Sequence, residues 1–233
     1  MQSLKTILSD TAHLFYPHIC TGCGSDVLAE DNLLCARCFV DLPVTNYAMH
    51  ANNPVEKIFW GRIPLIAAHG EYYFAKGSLI QHLVHQLKYK GNKEIGFYLG
   101  ELMAKSLLNS NRFNNIDGLI PLPLFPDRER KRGYNQAAII CNGMSTVMNV
   151  PVVNNVLIRQ RFTETQTRKH RTERWENVEG SFAIANEHLV NGKHLLLVDD
   201  VVTTGATFEA SGNTMLQING VQLSIAALTI ANK

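Results

Sequence analysis

Apolar residues change their spacing repeatedly along this chain, and each change marks a predicted element. Residues 65–74 read as extended, and Leu79, Ile80, Leu83, Val84 and Leu87 then recur at helical spacing up to a stop at Lys88 to Gly91. A second helix follows, with Ile95, Leu99, Leu102, Met103 and Leu107 as its apolar stripe. Asp117-Gly118 turns the chain into residues 119–124, a predicted strand despite two prolines, and residues 134–148 are helical again. Residues 156–158, 181–185, 194–198 and 221–230 are short strands, with a helix over 206–218 closed near Gly220. The order is alternating α and β, which predicts a mainly parallel sheet flanked by helices, with ligands where strands end and loops begin.

The region before this alternation is different. Residues 41–64 contain Pro43, Pro54 and Pro64 without sustained periodicity, so the chain divides into an N-terminal module, 1–60, and an α/β domain, 61–233. The module carries Cys20, Cys23, Cys35 and Cys38 in a C-x2-C-x11-C-x2-C pattern. Two residues between paired thiols let both sulfurs face one centre, and two such knuckles complete a tetrahedral zinc site. Two disulfides are the alternative, which a reducing cytoplasm disfavours. A closed four-thiolate site leaves no position for water or substrate, so the expected role is structural or adhesive and not catalytic. Cys141 stands alone in an apolar helical pattern and is expected in the core.

Composition adds limits. Of 233 residues, 45% are hydrophobic and 18% charged, which is ordinary globular usage, and the net charge is only +2, so anion attraction must come from local clusters. No apolar run approaches the roughly 20 residues of a membrane helix, and residues 1–19 are interrupted by Asp10, His13 and Pro17. Neither membrane insertion nor secretion is expected, and the expected location is cytoplasmic.

The most informative stretch is LLLVDDVVTTGAT, residues 195–207. Leu195 to Val198 form a run apolar on both faces, as a central parallel strand requires, and Asp199 and Asp200 arrive at its C-terminal end. Thr203, Thr204, Gly205, Ala206 and Thr207 then form a turn feeding a helix, where N–H groups, hydroxyls and the positive helix end converge on an anion. Two acids would repel that anion unless they accept from neutral donors, and the vicinal hydroxyls of a sugar are such donors. The predicted ligand is a ribose 5-phosphate unit. A surface turn with a helix cap explains Thr and Gly but hardly two acids behind a buried strand, and no Walker pattern occurs in the chain.

VDDVVTTGAT resembles the phosphoribosyl pyrophosphate (PRPP) signature of type I phosphoribosyltransferases. Together with the four-cysteine module, LKYKG at 87–91, PLPLFPDRERKRGYNQA at 121–137 and RQRFTETQT at 159–167, it resembles the ComF family (ComFC/GntX-like), which joins a zinc ribbon to a type I phosphoribosyltransferase-like domain. Lys169 stands where that family usually has an apolar residue, and the chain ends ALTIANK without the frequent terminal arginine.

The resemblance implies roles residue by residue. Val198 precedes the acids, Asp199 and Asp200 would hold the ribose 2- and 3-hydroxyls, and Thr203, Thr204, Gly205, Ala206 and Thr207 would cradle the 5-phosphate. Arg128, Arg130, Lys131, Arg132, Gly133, Tyr134, Asn135 and Gln136 would form the pyrophosphate side. Chemistry agrees, since residues 127–132 carry four bases against two acids and guanidinium forks bind phosphate oxygens in pairs. Arg161, Thr163 and Gln166 fall in the family's hood, within a stretch of six bases against two acids over 159–174. Solvated loops or a nucleic-acid patch are the plain alternatives for both basic stretches. The implied reaction displaces pyrophosphate from C1 of PRPP by a nitrogen nucleophile, with Mg2+ travelling with the substrate and Asp199, Asp200 and Arg132 as the catalytic set. The acceptor is not readable. The alternative is a PRPP-binding adaptor in competence or DNA uptake that contacts single-stranded DNA or a DNA-processing partner.

Overall fold

The computed structural model describes residues 19–28, 32–159 and 181–231. Helix α1 (Ala36–Val40) closes the four-cysteine region and α2 (Pro54–Phe59) follows. Asn53 starts α2 by accepting from the N–H groups of Val55 and Glu56 at 2.9 and 3.1 Å, and Pro54 fills a first-turn position where no N–H is needed. This helix lies inside the proline-bearing stretch 41–64, and its six residues are too few to display a period. Strand β1 (Ala68–Phe74) leads to α3 (Leu79–Tyr89) and α4 (Lys93–Leu108), and β2 (Gly118–Pro121) leads to α5 (Pro126–Arg132) and α6 (Gln136–Met148). Then come β3 (Leu157–Arg159), β4 (Phe182–Ile184), β5 (His194–Val202), α7 (Ala206–Met215) and β6 (Gln222–Ala231).

The main sheet is parallel, in the order β1-β6-β5-β2, and β3 pairs antiparallel with β4 in a separate ribbon. The expected strand over 119–124 stops sooner: Leu122 still donates to the Val198 carbonyl at 2.9 Å, but its own carbonyl accepts from the Asn135 amide and the Asp200 N–H is turned to Asp199 Oδ1, so the ladder goes no further. Strand β5 runs further than expected, to Val202, so the two acids lie within it rather than beyond it.

Alternation along β5 sorts its side chains between two cores. Leu196 and Val198 join Leu83, Leu99 and Ile140 of α3, α4 and α6, while Leu195 and Leu197 join Phe59 and Phe208 of α2 and α7. Helices therefore cover both faces, and residues 195–198 are fully buried, as a strand with no polar position among them requires. Cys20, Cys35 and Cys38 belong to the first of these cores. Helices α4 and α6 pack with their backbones touching: a β-carbon at Gly100 would strike the Ile140 carbonyl, and one at Gly143 the Phe97 carbonyl. The consequence for function lies between β2 and β5. They are neighbours, yet the chain leaves β2 for α6 on one face and β5 for α7 on the other, which opens a crevice at their C-terminal ends. No helix among the described residues is long and apolar enough to cross a membrane.

Candidate functional site

Asp199 and Asp200 reach that crevice in different ways, because consecutive strand residues point to opposite faces. Asp200 is buried on the side of α3, where its Oδ2 lies 2.6 Å from the Lys88 ammonium, and its carbonyl accepts from the Thr229 hydroxyl at 2.8 Å. Asp199 turns towards the other face and is half-buried, its Oδ1 accepting from the Asp200 N–H at 2.8 Å. Burial, then the charge of Asp200, pushes the Asp199 carboxyl up to about 7, against the pull of the Asp200 N–H, Lys88 and Arg159.

This displacement has a stability consequence whose sign is fixed. An ordinary aspartate ionises near 3.8 and folded Asp199 near 7, so between those values the unfolded chain has released a proton that the folded chain keeps. Stability therefore falls as pH rises through that window, and the penalty is complete above it. At about 1.4 kcal/mol per pKa unit the ceiling is about 4 kcal/mol. Asp199→Asn, which keeps an oxygen for the Asp200 N–H, is expected to melt several degrees above wild type at pH 8 and close to it at pH 4.5. Equal melting temperatures at pH 8 would show that Asp199 carries no such penalty.

The loop after β5 is shaped from beneath. Gly205 has φ +78°, and a β-carbon there would lie 2.7 Å from both Ile58 Cγ2 and Phe59 Cε1 of α2. Gly205 is also the N-cap of α7 and brings no side chain to bond the first-turn N–H groups, while Thr203 and Thr204 are exposed above it. Arg62 braces this turn, donating to the Thr204 carbonyl at 2.7 Å and the Ile58 carbonyl at 2.9 Å, and its Nε donates to Glu209 of α7 at 3.1 Å. Ala206 and Thr207 are half-buried at the helix start. Val198, by contrast, is wholly buried with its carbonyl already paired to Leu122, so it positions the acids and offers a ligand nothing.

On the other side of the crevice, α5 turns the basic stretch into a helix instead of a loop. Pro126 is pre-set for the first turn, Asp127 and Glu129 sit at the positive end and Arg130, Lys131 and Arg132 at the negative end, an order the helix dipole favours. Gly133 ends it at φ +80°. A cleft of about 510 Å³ opens here, lined by Lys88, Tyr89, Gly91, Arg128, Lys131, Arg132 and Tyr134. Among the described residues its lining has four cations and no acid. Arg130 points elsewhere, to Asp127 at 2.5 Å. Asn135 and Gln136 are occupied internally: Asn135 caps α6 at the Ala137 N–H and donates to the Leu122 carbonyl, each at 2.9 Å, and Gln136 accepts from Arg132.

Of the hood residues, Arg161, Thr163 and Gln166 lie outside the described residues. Arg159, at the end of β3, is described. Its guanidinium stacks on the Phe125 ring at 3.8 Å and faces the Phe182 ring at 5.1 Å, and it is close enough to Asp199 for each to affect the other's ionisation. The structure thus gathers Arg128, Lys131, Arg132 and Tyr134 in one cleft, and Asp199, Asp200 and the threonine loop beside it. Sequence reasoning missed Arg62 altogether and used Lys88 only as part of a helix stop and of LKYKG, with no role in the site.

The four N-terminal cysteines also come together, with all four sulfurs within 4.8 Å of one another and Cys23 Sγ 3.7 Å from Cys35 Sγ. Sulfurs about 2.3 Å from a central zinc in a tetrahedron stand about 3.8 Å apart, so the cluster has the dimensions of a metal site such as zinc occupies. Burial alone would raise the Cys20 thiol, yet N–H groups of Cys35, Cys23 and Gly22 lower it to about 6, while burial and then the neighbouring sulfurs push the Cys38 thiol up, so without an ion the four do not ionise together. Cys141 is buried, as expected, and burial raises its thiol well above the ordinary range.

Comparison with known proteins agrees with this geometry. Residues 130–233 match the phosphoribosyl transferase domain family. The DNA utilization protein YhgH of Escherichia coli O157:H7 is 29% identical, over 90% of this chain and 89% of its own length. Competence protein F of Haemophilus influenzae is 25% identical over 94% and 93%, and competence protein ComFC of Bacillus subtilis is 32% identical over 72% and 66%.

Proposed function

We propose, for a chain that belongs with the ComF-type competence and DNA utilization proteins and carries a phosphoribosyl transferase domain, that the crevice between β2 and β5 binds PRPP and transfers its phosphoribosyl group to an acceptor. The observation that carries this is the placement of two carboxylates and a glycine-started helix at the end of β5, opposite a cleft of four cations. The 5-phosphate belongs on residues 203–207, the ribose hydroxyls on Asp199 and Asp200, and the diphosphate against Arg128, Lys131 and Arg132. Loss of pyrophosphate leaves a cationic sugar at C1. Guanidinium and ammonium groups facing the diphosphate stabilise the departing charge, and no nucleophilic side chain is needed. Mg2+ would accompany PRPP and neutralise part of its diphosphate charge.

Pyrophosphate release tests the transfer. Protein incubated with Mg-PRPP and a panel of nitrogen acceptors is expected to liberate it, and Arg132→Ala to reduce the rate by roughly tenfold or more, as expected for removing a charge-assisted contact. The names of the relatives favour a second reading, in which PRPP is an effector and the protein an adaptor in DNA processing. Tight PRPP binding without release, together with salt-dependent affinity for single-stranded DNA, would establish that reading in place of transfer.

The cysteine cluster is proposed to hold structural zinc. Purified protein is expected to contain about one zinc per chain. Less than about half an equivalent by elemental analysis after anaerobic preparation would overturn the assignment.

A further inference from the structure

Lys88 stands in both halves of the site. Its ammonium lies 2.6 Å from Asp200, with the two side chains 20% and 4% exposed, and it also lines the cleft with Arg128, Lys131 and Arg132. Among the described residues the other cations of that cleft have no carboxylate partner: Arg132 donates to Gln136 and lies over the Tyr89 ring, and Arg128 lies over the Phe125 ring. Residue type matters as well. A lysine is a compact charge on a flexible four-carbon stem and can exchange partners, whereas an arginine would lock a carboxylate in a planar fork.

We propose that Lys88 is a displaceable cation for the ligand's diphosphate: Asp200 holds it in the free protein, and it passes to the diphosphate when ligand hydroxyls take its place on the carboxylate. This rests on the reading that the site receives a sugar bearing a diphosphate. A carboxylate as buried as Asp200 cannot be left without a partner, so departure of the ammonium requires arrival of hydroxyl donors. Sugar recognition and diphosphate recognition are then coupled, and by linkage each strengthens the other. The pair thereby selects ligands that carry both groups over ligands that carry one.

Calorimetric titration with inorganic pyrophosphate, which has no sugar hydroxyls to release Lys88, exposes the coupling. Asp200→Asn frees the ammonium and is expected to tighten pyrophosphate by about tenfold, the scale of one charge-assisted contact. In a Lys88→Met background the same Asp200→Asn change is expected to alter affinity by no more than about twofold, the residue of removing one negative charge. Should Lys88→Met alone fold poorly because it strands Asp200, comparing Asp200→Asn with the double variant still isolates the lysine. An equal gain in both backgrounds, or no pyrophosphate binding at all, would overturn the proposal. PRPP binding without this coupling would remove Lys88's role and leave the proposed function standing. Coupled pyrophosphate binding with no affinity for PRPP would do the reverse.

Discussion

Replacing Asp199 and Asp200 together with alanine is expected to weaken PRPP by at least tenfold while leaving inorganic phosphate as tightly bound as before, or tighter. At pH 8, above the Asp199 value of about 7, each acid offers charged acceptors to sugar hydroxyls, and losing one such hydrogen bond costs about 1.5 to 3 kcal/mol, or tenfold to a hundredfold in affinity. Part of that loss is offset at the diphosphate end, where Lys88 no longer has a carboxylate to hold it. Inorganic phosphate makes no use of the acids and loses only their repulsion. Calorimetric titration of the double variant with Mg-PRPP and with phosphate separates the two effects. Wild-type PRPP affinity in that variant would remove the acids from sugar recognition, and with them the strongest support for the proposed function.

Gly205→Val is expected to act in the opposite way, abolishing both ligands and lowering stability. The position has φ +78°, a left-handed conformation that costs a side-chain-bearing residue about 1–2 kcal/mol and a β-branched one more. The new β-carbon would also meet Ile58 and Phe59 at 2.7 Å, and Phe59 is a fully buried ring packed edge-on to Phe208, so it has nowhere to retreat. Overpacking of this kind adds about 1–3 kcal/mol. The loop must therefore either move away from α2, taking the N–H groups of the helix start out of register, or strain the core that seats it. Urea unfolding is expected to show a loss of about 2–5 kcal/mol, with phosphate and PRPP binding both below detection. A variant as stable as wild type that still bound phosphate would mean that the turn does not depend on its contact with α2.

Much of this was legible in the sequence where the information is contiguous. The run Leu195 to Val198 has no polar position to give to solvent, so burial on both faces follows directly, and the structure makes it an inner strand. The acids, threonines and glycine that follow lie within one strand, turn and helix start, and their order alone places them at the strand's end. The cysteine pairs are local too: two intervening residues bring two sulfurs to one side, and the structure brings the two pairs together. The short helices were less legible. Helix α2 has six residues and α5 seven, too few for an apolar period, and α5 has no buried residue to produce one.

What the sequence determined by itself was the alternation of elements, the paired cysteines and the chemical character of the loop after β5, because each depends on neighbours within a few residues. Tertiary structure alone decided which partners those groups meet. Lys88 reaches Asp200 because the order β1-β6-β5-β2 and the placement of α3 on one face bring the end of that helix over the crevice. Arg62 reaches the Thr204 carbonyl across 142 positions because α2 packs on the other face beneath Gly205. A hydrophobic period says that a face will be buried. It does not say against which element, and that choice, made by packing over long sequence separation, set the charges around the two acids.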